Sequence, residues 1–248
     1  MKIIVRLLLM ALLLSPAFPK DAAASREITV SAAASLTDVF KEEGAAFEKD
    51  TGIKAVFNFG ASVALLKQIE AGAPVDVFAS ADEVTMDQAE KEGIVLKASR
   101  RDFAGNDLVL AVPAVPGRVS GMKDIANASR IAIANPATAP AGLYAKQALT
   151  RMKLWDALGP KFIYGANVRQ ALEYVRRGEV DAGFVYMTDV ISTKDGVKAA
   201  GVLSKGALYP AAVVSLSKDQ DSARRFINFL LGRKAQAILK KYGFKGLK

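Results

Sequence analysis

The amino-acid sequence predicts an α/β protein of two lobes, each a mixed, mostly parallel sheet flanked by helices, with two hinge crossovers. Three observations predict it. Strand-like and helix-like apolar patterns alternate from residue 27 onward, the signature of a parallel sheet covered by helices. The length beyond the leader suits two units of about 100 residues. A late strand-like stretch, "GALYPAAVVSL", followed by a helical tail, gives the chain a way back to the first unit.

The elements follow in order. "EITVSA" reads as a strand, and after it Leu36, Val39, Phe40, Ala46 and Phe47 share one helical face that stops before Gly52. "IKAVFNFG" is a strand, and "ASVALLKQIEAG" a short helix closed by Gly72. "VDVFAS" is a buried strand and "EVTMDQAEKEG" the helix after it. The theme then repeats. "DLVLAV" and "RIAIAN" are strands, "AGLYAKQALTRM" a helix, "KFIYG" a strand, "VRQALEYVRRG" a helix and "DAGFVYM" another buried strand. "PVDVFASAD" and "EVDAGFVYMTD" look alike, which hints at two halves of related topology. The tail "SARRFINFLLGRKAQAILKKYGF" reads as helical, with Phe226, Phe229 and Leu230 on one face. The expected boundaries are lobe 1 over 25–105, lobe 2 over 106–208 and a return to lobe 1 over 209–248, with the first crossing near "GNDLVLAVPAVPG".

Residues 1–24 read as a cleaved signal peptide. Lys2 and Arg6 flank and interrupt "IIVRLLLMALLL", an apolar run too short and too charged to span a bilayer. Ala22, Ala23 and Ala24 supply the small residues at a cleavage site, placed after Ala24. The chain has no cysteine, so its stability rests on packed cores and it has no acylated anchor. The expectation is a soluble, exported protein, not membrane-embedded, free in a Gram-negative periplasm.

The absence of histidine removes the usual general base, the commonest transition-metal ligand and the middle of a Ser-His-Asp triad. No paired-carboxylate or metal-spaced motif compensates, so the expectation is a protein that is not an enzyme. The formal charge is +9, of which about +7 lies beyond the leader. The basic residues are scattered among acids, as in "KEEGAAFEKD", so they read as solvated faces and not as a nucleic-acid stripe.

Four strand-to-helix junctions, at Ala34-Ser35, Ala61-Ser62, Pro140-Ala141-Gly142 and Asn167-Val168, carry small or capping residues. Each helix start exposes backbone N–H groups with no partner inside the helix, and the macrodipole makes it an anion site. In open α/β sheets, ligands sit outside the carboxyl ends of strands. Each residue also has a plainer reading. Ser35 opens S-L-T-D, a capping box with Asp38, and Ser62 is a good N-cap. Ala141 and Val168 are ordinary helix starts, and Tyr186 is a core or edge aromatic. The residues alone point to an exported two-lobe binding protein, with a small anion favoured.

Longer motifs add a resemblance. "VSAAASLTDVF", "FNFGASVALLKQIEAGAPVDVFASAD", "NPATAPAGLYAKQAL", "VRQALEYVRRGEVDAGFVYMTD" and the terminal "KKYGF" together resemble the periplasmic molybdate-binding proteins of ABC importers, over essentially the whole mature chain. The resemblance implies the type II periplasmic binding protein fold, with molybdate or tungstate as ligand and no cofactor. It implies an inner-membrane ABC permease with its ATPase as partner, for a monomer. It implies that two serines, two backbone amides and one tyrosine hydroxyl hold the anion: Ser35, Ser62, the N–H groups of Ala141 and Val168, and Tyr186. Molybdenum then arrives as an oxyanion, without direct protein ligands to the metal. The second loop departs from the family pattern, with Ala61-Ser62-Val63 where relatives are often serine-rich. Alternatives are a sulfate or phosphate carrier and, from other classes, an enzyme using Lys or carboxylate chemistry or the sensing domain of a transcription regulator.

Overall fold

The computed structural model describes residues 26–193 and 195–246; the expected signal peptide lies outside them. In the first half, strand β1 (Glu27–Ala33) feeds helix α1 (Thr37–Thr51), then β2 (Lys54–Gly60), α2 (Ser62–Glu70), β3 (Val77–Ala79) and α3 (Glu83–Lys91). The long strand β4 (Arg101–Pro113) leads to the second half. There β5 (Ile131–Ala134), α4 (Pro140–Arg151), α5 (Trp155–Leu158), β6 (Phe162–Gly165), α6 (Val168–Arg176), β7 (Ala182–Tyr186) and α7 (Met187–Thr193) follow. A second long strand, β8 (Val197–Val213), returns, and α8 (Gln220–Leu231) and α9 (Arg233–Lys241) close the chain.

The strands form one mixed sheet in the order β2-β1-β3-β8-β4-β7-β5-β6. Its two ends mirror each other. β1 pairs in parallel with β2 and β3, and β3 pairs antiparallel with β8. Likewise β5 pairs in parallel with β6 and β7, and β7 pairs antiparallel with β4. The two look-alike segments, "PVDVFASAD" and "EVDAGFVYMTD", thus contain β3 and β7, which occupy equivalent places. β4 and β8 pair with each other from Arg101 opposite Ala211 to Pro113 opposite Val197, with register shifts that include one at Asn106/Asp107. Because β8 reaches β3 through Ala211–Val213 and β4 reaches β7 through Leu108–Ala111, both strands pass from one half to the other.

Two elements differ from the sequence reading. β8 begins nine residues before Gly206, where "VKAAGVLSK" pairs with β4 although it is largely exposed and shows no apolar alternation in sequence. The tail is two helices: Gly232 takes an extended conformation, φ −75° and ψ 155°, and interrupts the helix. Phe226 is fully buried between Phe40 and Phe47 of α1, with edge-to-face ring centroids 5.7 and 5.2 Å apart. Such aromatic pairs contribute about 0.5–1.5 kcal/mol each beyond area burial, which fastens the tail to the first half. The end of α1 matches expectation, with Gly52 left-handed at φ 70° and its N–H donating to the Glu48 carbonyl.

Candidate functional site

Helices α2, α4 and α6 begin at the carboxyl ends of strands β2, β5 and β6, and α1 follows β1 through a 3₁₀ turn over Ala34–Leu36. All four starts face one small cavity, lined by Ser35, Ser62, Ala141, Val168 and Tyr186 together with neighbouring small residues. The structure therefore brings together all five positions singled out from sequence. Each is at most 5% exposed. The centre of a water-sized sphere has only about 10 Å³ to move in, far below the ~300–1,000 Å³ of pockets for organic ligands. Among the described residues lining it, none carries a charged side chain.

The helix starts leave their main-chain donors aimed outward. α4 begins with Pro140, which has no N–H, and its N-cap Ala139 offers no side-chain acceptor, so nothing caps the Ala141 N–H. Asn167 caps α6 by accepting from Arg169 and Gln170 N–H at 3.0 and 3.1 Å, which passes over Val168 N–H. Gly142 lets α4 press onto the end of β5: a Cβ there would lie 2.0 Å from the Ala134 carbonyl oxygen.

The serines do not play the capping roles their sequence context predicts. α1 starts only at Thr37, because the 3₁₀ turn occupies the place where the capping box would form. Ser35 Oγ instead lies 3.0 Å from the Tyr209 hydroxyl, and Asp38 accepts from Arg169 across the cleft at 2.7 Å. The N-cap of α2 is Ala61, and Ser62 stands one residue inside the helix. Its Oγ accepts from Ala81 N–H at 3.1 Å, leaving its proton available to the cavity.

Contacts across the cavity join the halves. Val63 N–H donates to the Thr138 carbonyl at 3.2 Å, and the Tyr186 hydroxyl to the Ala81 carbonyl at 3.4 Å. Arg169, next to Val168, also donates to the Ser35 carbonyl at 3.3 Å. Its Nε lies 2.9 Å from Asp189 Oδ1 in an ion pair without hydrogen-bond alignment, while Asp189 Oδ2 accepts from Tyr186 N–H at 2.9 Å. Burial, followed by the neighbouring Tyr209, Tyr144 and carboxylates, drives the Tyr186 hydroxyl well above its ordinary pKa, so it is a neutral O–H donor. Two buried residues near the site, Asn106 and Tyr209, escaped the sequence reading. Their partners lie 82 to 174 residues away, beyond any local pattern.

What gathers here is a set of hydrogen-bond donors with no formal cation, suited to a small, fully ionised anion. Helix N-termini carry roughly half a positive charge each, and hydrogen bonds to charged groups contribute about 1.5–3 kcal/mol net. Among the described residues, no group of three or more His, Cys, Asp or Glu could hold a metal ion. No helix there is long and apolar enough to cross a membrane.

Residues 28–245 match the family described as bacterial extracellular solute-binding protein. The molybdate-binding protein ModA of Escherichia coli (strain K12) is 38% identical, with 88% of each chain covered. The periplasmic molybdate-binding protein of Azotobacter vinelandii superposes with a TM-score of 0.80 at 29% identity, over 89% of this chain and 100% of the other. The substrate-binding domain of a putative molybdenum ABC transporter from Clostridium difficile is 35% identical, with a TM-score of 0.69 over 90% of this chain and 100% of the other.

Proposed function

The chain belongs to the bacterial extracellular solute-binding protein family, and from that premise we propose that it captures molybdate and delivers it to an ABC importer. The observation that carries this reading is the convergence of four helix starts, two serine hydroxyls and the Tyr186 hydroxyl on one small cavity without charged lining. Ser35 and Ser62 donate their O–H groups to the anion, Tyr186 does so by turning its hydroxyl from the Ala81 carbonyl, and Ser35, Ala141 and Val168 donate N–H. Tungstate, close to molybdate in size and charge, is taken equally well. Residues 25–105 and 209–248 form one lobe and 106–208 the other, and the lobes close around the ligand about β4 and β8. The protein works as a periplasmic monomer whose partner is an inner-membrane permease with its ATPase, and it performs no catalysis.

Titration calorimetry on the desalted protein tests this. Molybdate is expected to bind one to one at micromolar concentration or tighter and to resist a hundredfold excess of sulfate. No binding in that range would sink the reading, and displacement by sulfate would assign the site to that anion instead.

A second expectation concerns Gly142. Gly142→Ala sets a Cβ against backbone atoms of Ala134 and Asn135, so the first turn of α4 must move and carry the Ala141 N–H with it. Losing one hydrogen bond to a charged oxygen weakens molybdate binding by about tenfold or more. Unchanged affinity in the same titration would show that the turn tolerates the methyl group.

A further inference from the structure

Asn106 on β4 and Tyr209 on β8 belong to the strands that pass between the halves, and Asn106 stands at one of the register shifts in their ladder. Both are buried, at 1% and 0% exposure. Asn106 Oδ1 accepts from Asp107 N–H at 2.9 Å, and its Nδ2 donates to Thr188 Oγ1 at 2.8 Å and to the Tyr209 hydroxyl at 3.2 Å. The reverse orientation would set the amide NH₂ against the Asp107 N–H, donor against donor, so the direction of these bonds is fixed. The Tyr209 oxygen is therefore an acceptor toward Asn106, and its own proton needs another acceptor. Ser35 Oγ is 3.0 Å away. Burial raises the Tyr209 pKa far above its ordinary value, so that proton stays in place.

We propose that Asn106 and Tyr209 are positioning residues: Asn106 donates to Tyr209, Tyr209 donates to Ser35, and the Ser35 proton is thereby left to point into the cavity. Ser35 then meets an incoming anion as a donor. An oxyanion whose oxygens all accept fits this polarity, and one presenting its own O–H to Ser35 meets donor with donor. The relay rests on the reading of the cavity as the molybdate site. It concerns how one of the donors is aimed, and through residues on the crossover strands it ties that donor to the hinge.

Calorimetric titration of molybdate at pH 8 into the wild type, Asn106→Asp, Tyr209→Phe and the double variant tests it. Wild-type binding in the same series checks the reading beneath it, and its absence would fail that reading and the relay together. In Asn106→Asp the new carboxylate would accept from Tyr209, turning the chain round so that Ser35 donates inward and shows its lone pairs to the anion. Asn106→Asp is expected to weaken binding at least about thirtyfold. Tyr209→Phe frees the Ser35 hydroxyl from the chain and is expected to weaken binding about three- to thirtyfold. The double variant is expected to bind within about threefold of Tyr209→Phe alone, because without the tyrosine oxygen nothing transmits the reversal. The added charge remains in the double variant, so simple repulsion would make the losses add. Additive losses, or an Asn106→Asp affinity within threefold of wild type, would overturn the proposal. If Asn106→Asp does not fold, Tyr209→Phe decides, and unchanged affinity in it overturns the relay.

Discussion

Ser35→Ala combined with Ser62→Ala is expected to weaken molybdate binding by roughly 10²–10⁴-fold, since each hydroxyl donated to a charged oxygen contributes about 1.5–3 kcal/mol. The structure also sets the side effect. Removing the Ser62 hydroxyl strands the buried Ala81 N–H, and removing that of Ser35 takes a hydrogen-bond partner from the buried Tyr209 hydroxyl. Each buried group that loses its partner costs about 1–3 kcal/mol, so the ligand-free protein should melt several degrees lower, at about 2–4 °C per kcal/mol for a chain of this size. Calorimetric titration well below the new melting temperature separates the two effects. If the serines served only the fold, binding measured there would stay within tenfold of wild type, and the proposed roles would be wrong.

Glu43→Gln is expected to flatten the pH dependence of stability. Glu43 sits on the core face of α1, is 0% exposed, and neither carboxylate oxygen has a hydrogen-bond partner. Burial, with a smaller contribution from the charge of Glu42, pushes its carboxyl up to about 9. Unfolding returns it to the ordinary carboxylate range near 4.5. Between those values the folded chain holds a proton that the unfolded chain releases. The stability is therefore fully present below about 4.5 and is lost as the pH rises toward about 9. At pH 7 the loss is roughly 3 kcal/mol, at about 1.4 kcal/mol per unit. The glutamine variant keeps the shape without titrating. Its advantage over wild type in urea unfolding should be near zero at pH 4.5 and grow steadily through pH 7 and 8.5. Parallel curves for the two proteins would show that Glu43 is ionised in the fold.

The alternation of strands and helices was legible because several strands are short, buried apolar runs, as "VFA" and "IAIA" are at β3 and β5. The first half of β8 was not, since its exposed residues carry no period. Nor was the break at Gly232, where a single extended residue divides an otherwise continuous amphipathic pattern. The five site positions gather round one cavity, yet the means by which they do so were hidden. A capping box and a 3₁₀ turn read alike from S-L-T-D, and only the partners of Ser35 and Asp38 tell them apart. Ala141 and Val168 offer main-chain donors, for which side-chain chemistry gives no signal; their strand-to-helix junctions were legible, but only the resemblance singled out those two residues within them. Glu43 fell on the apolar face of α1, where a charged residue would ordinarily be excluded.

The proposed use of main-chain donors at α4 and α6 has a consequence for mutation. A substitution at Ser35, Ser62 or Tyr186 can delete a donor outright, but none short of proline can delete the N–H of residue 141 or 168. The side chains there are buried, at 2% and 5% exposure, so they answer to packing and not to the donor role, and the backbone course is held from outside, by Pro140, Gly142 and Asn167. Errors in the gene that damage this half of the site should therefore fall beside the contact residues more often than on them.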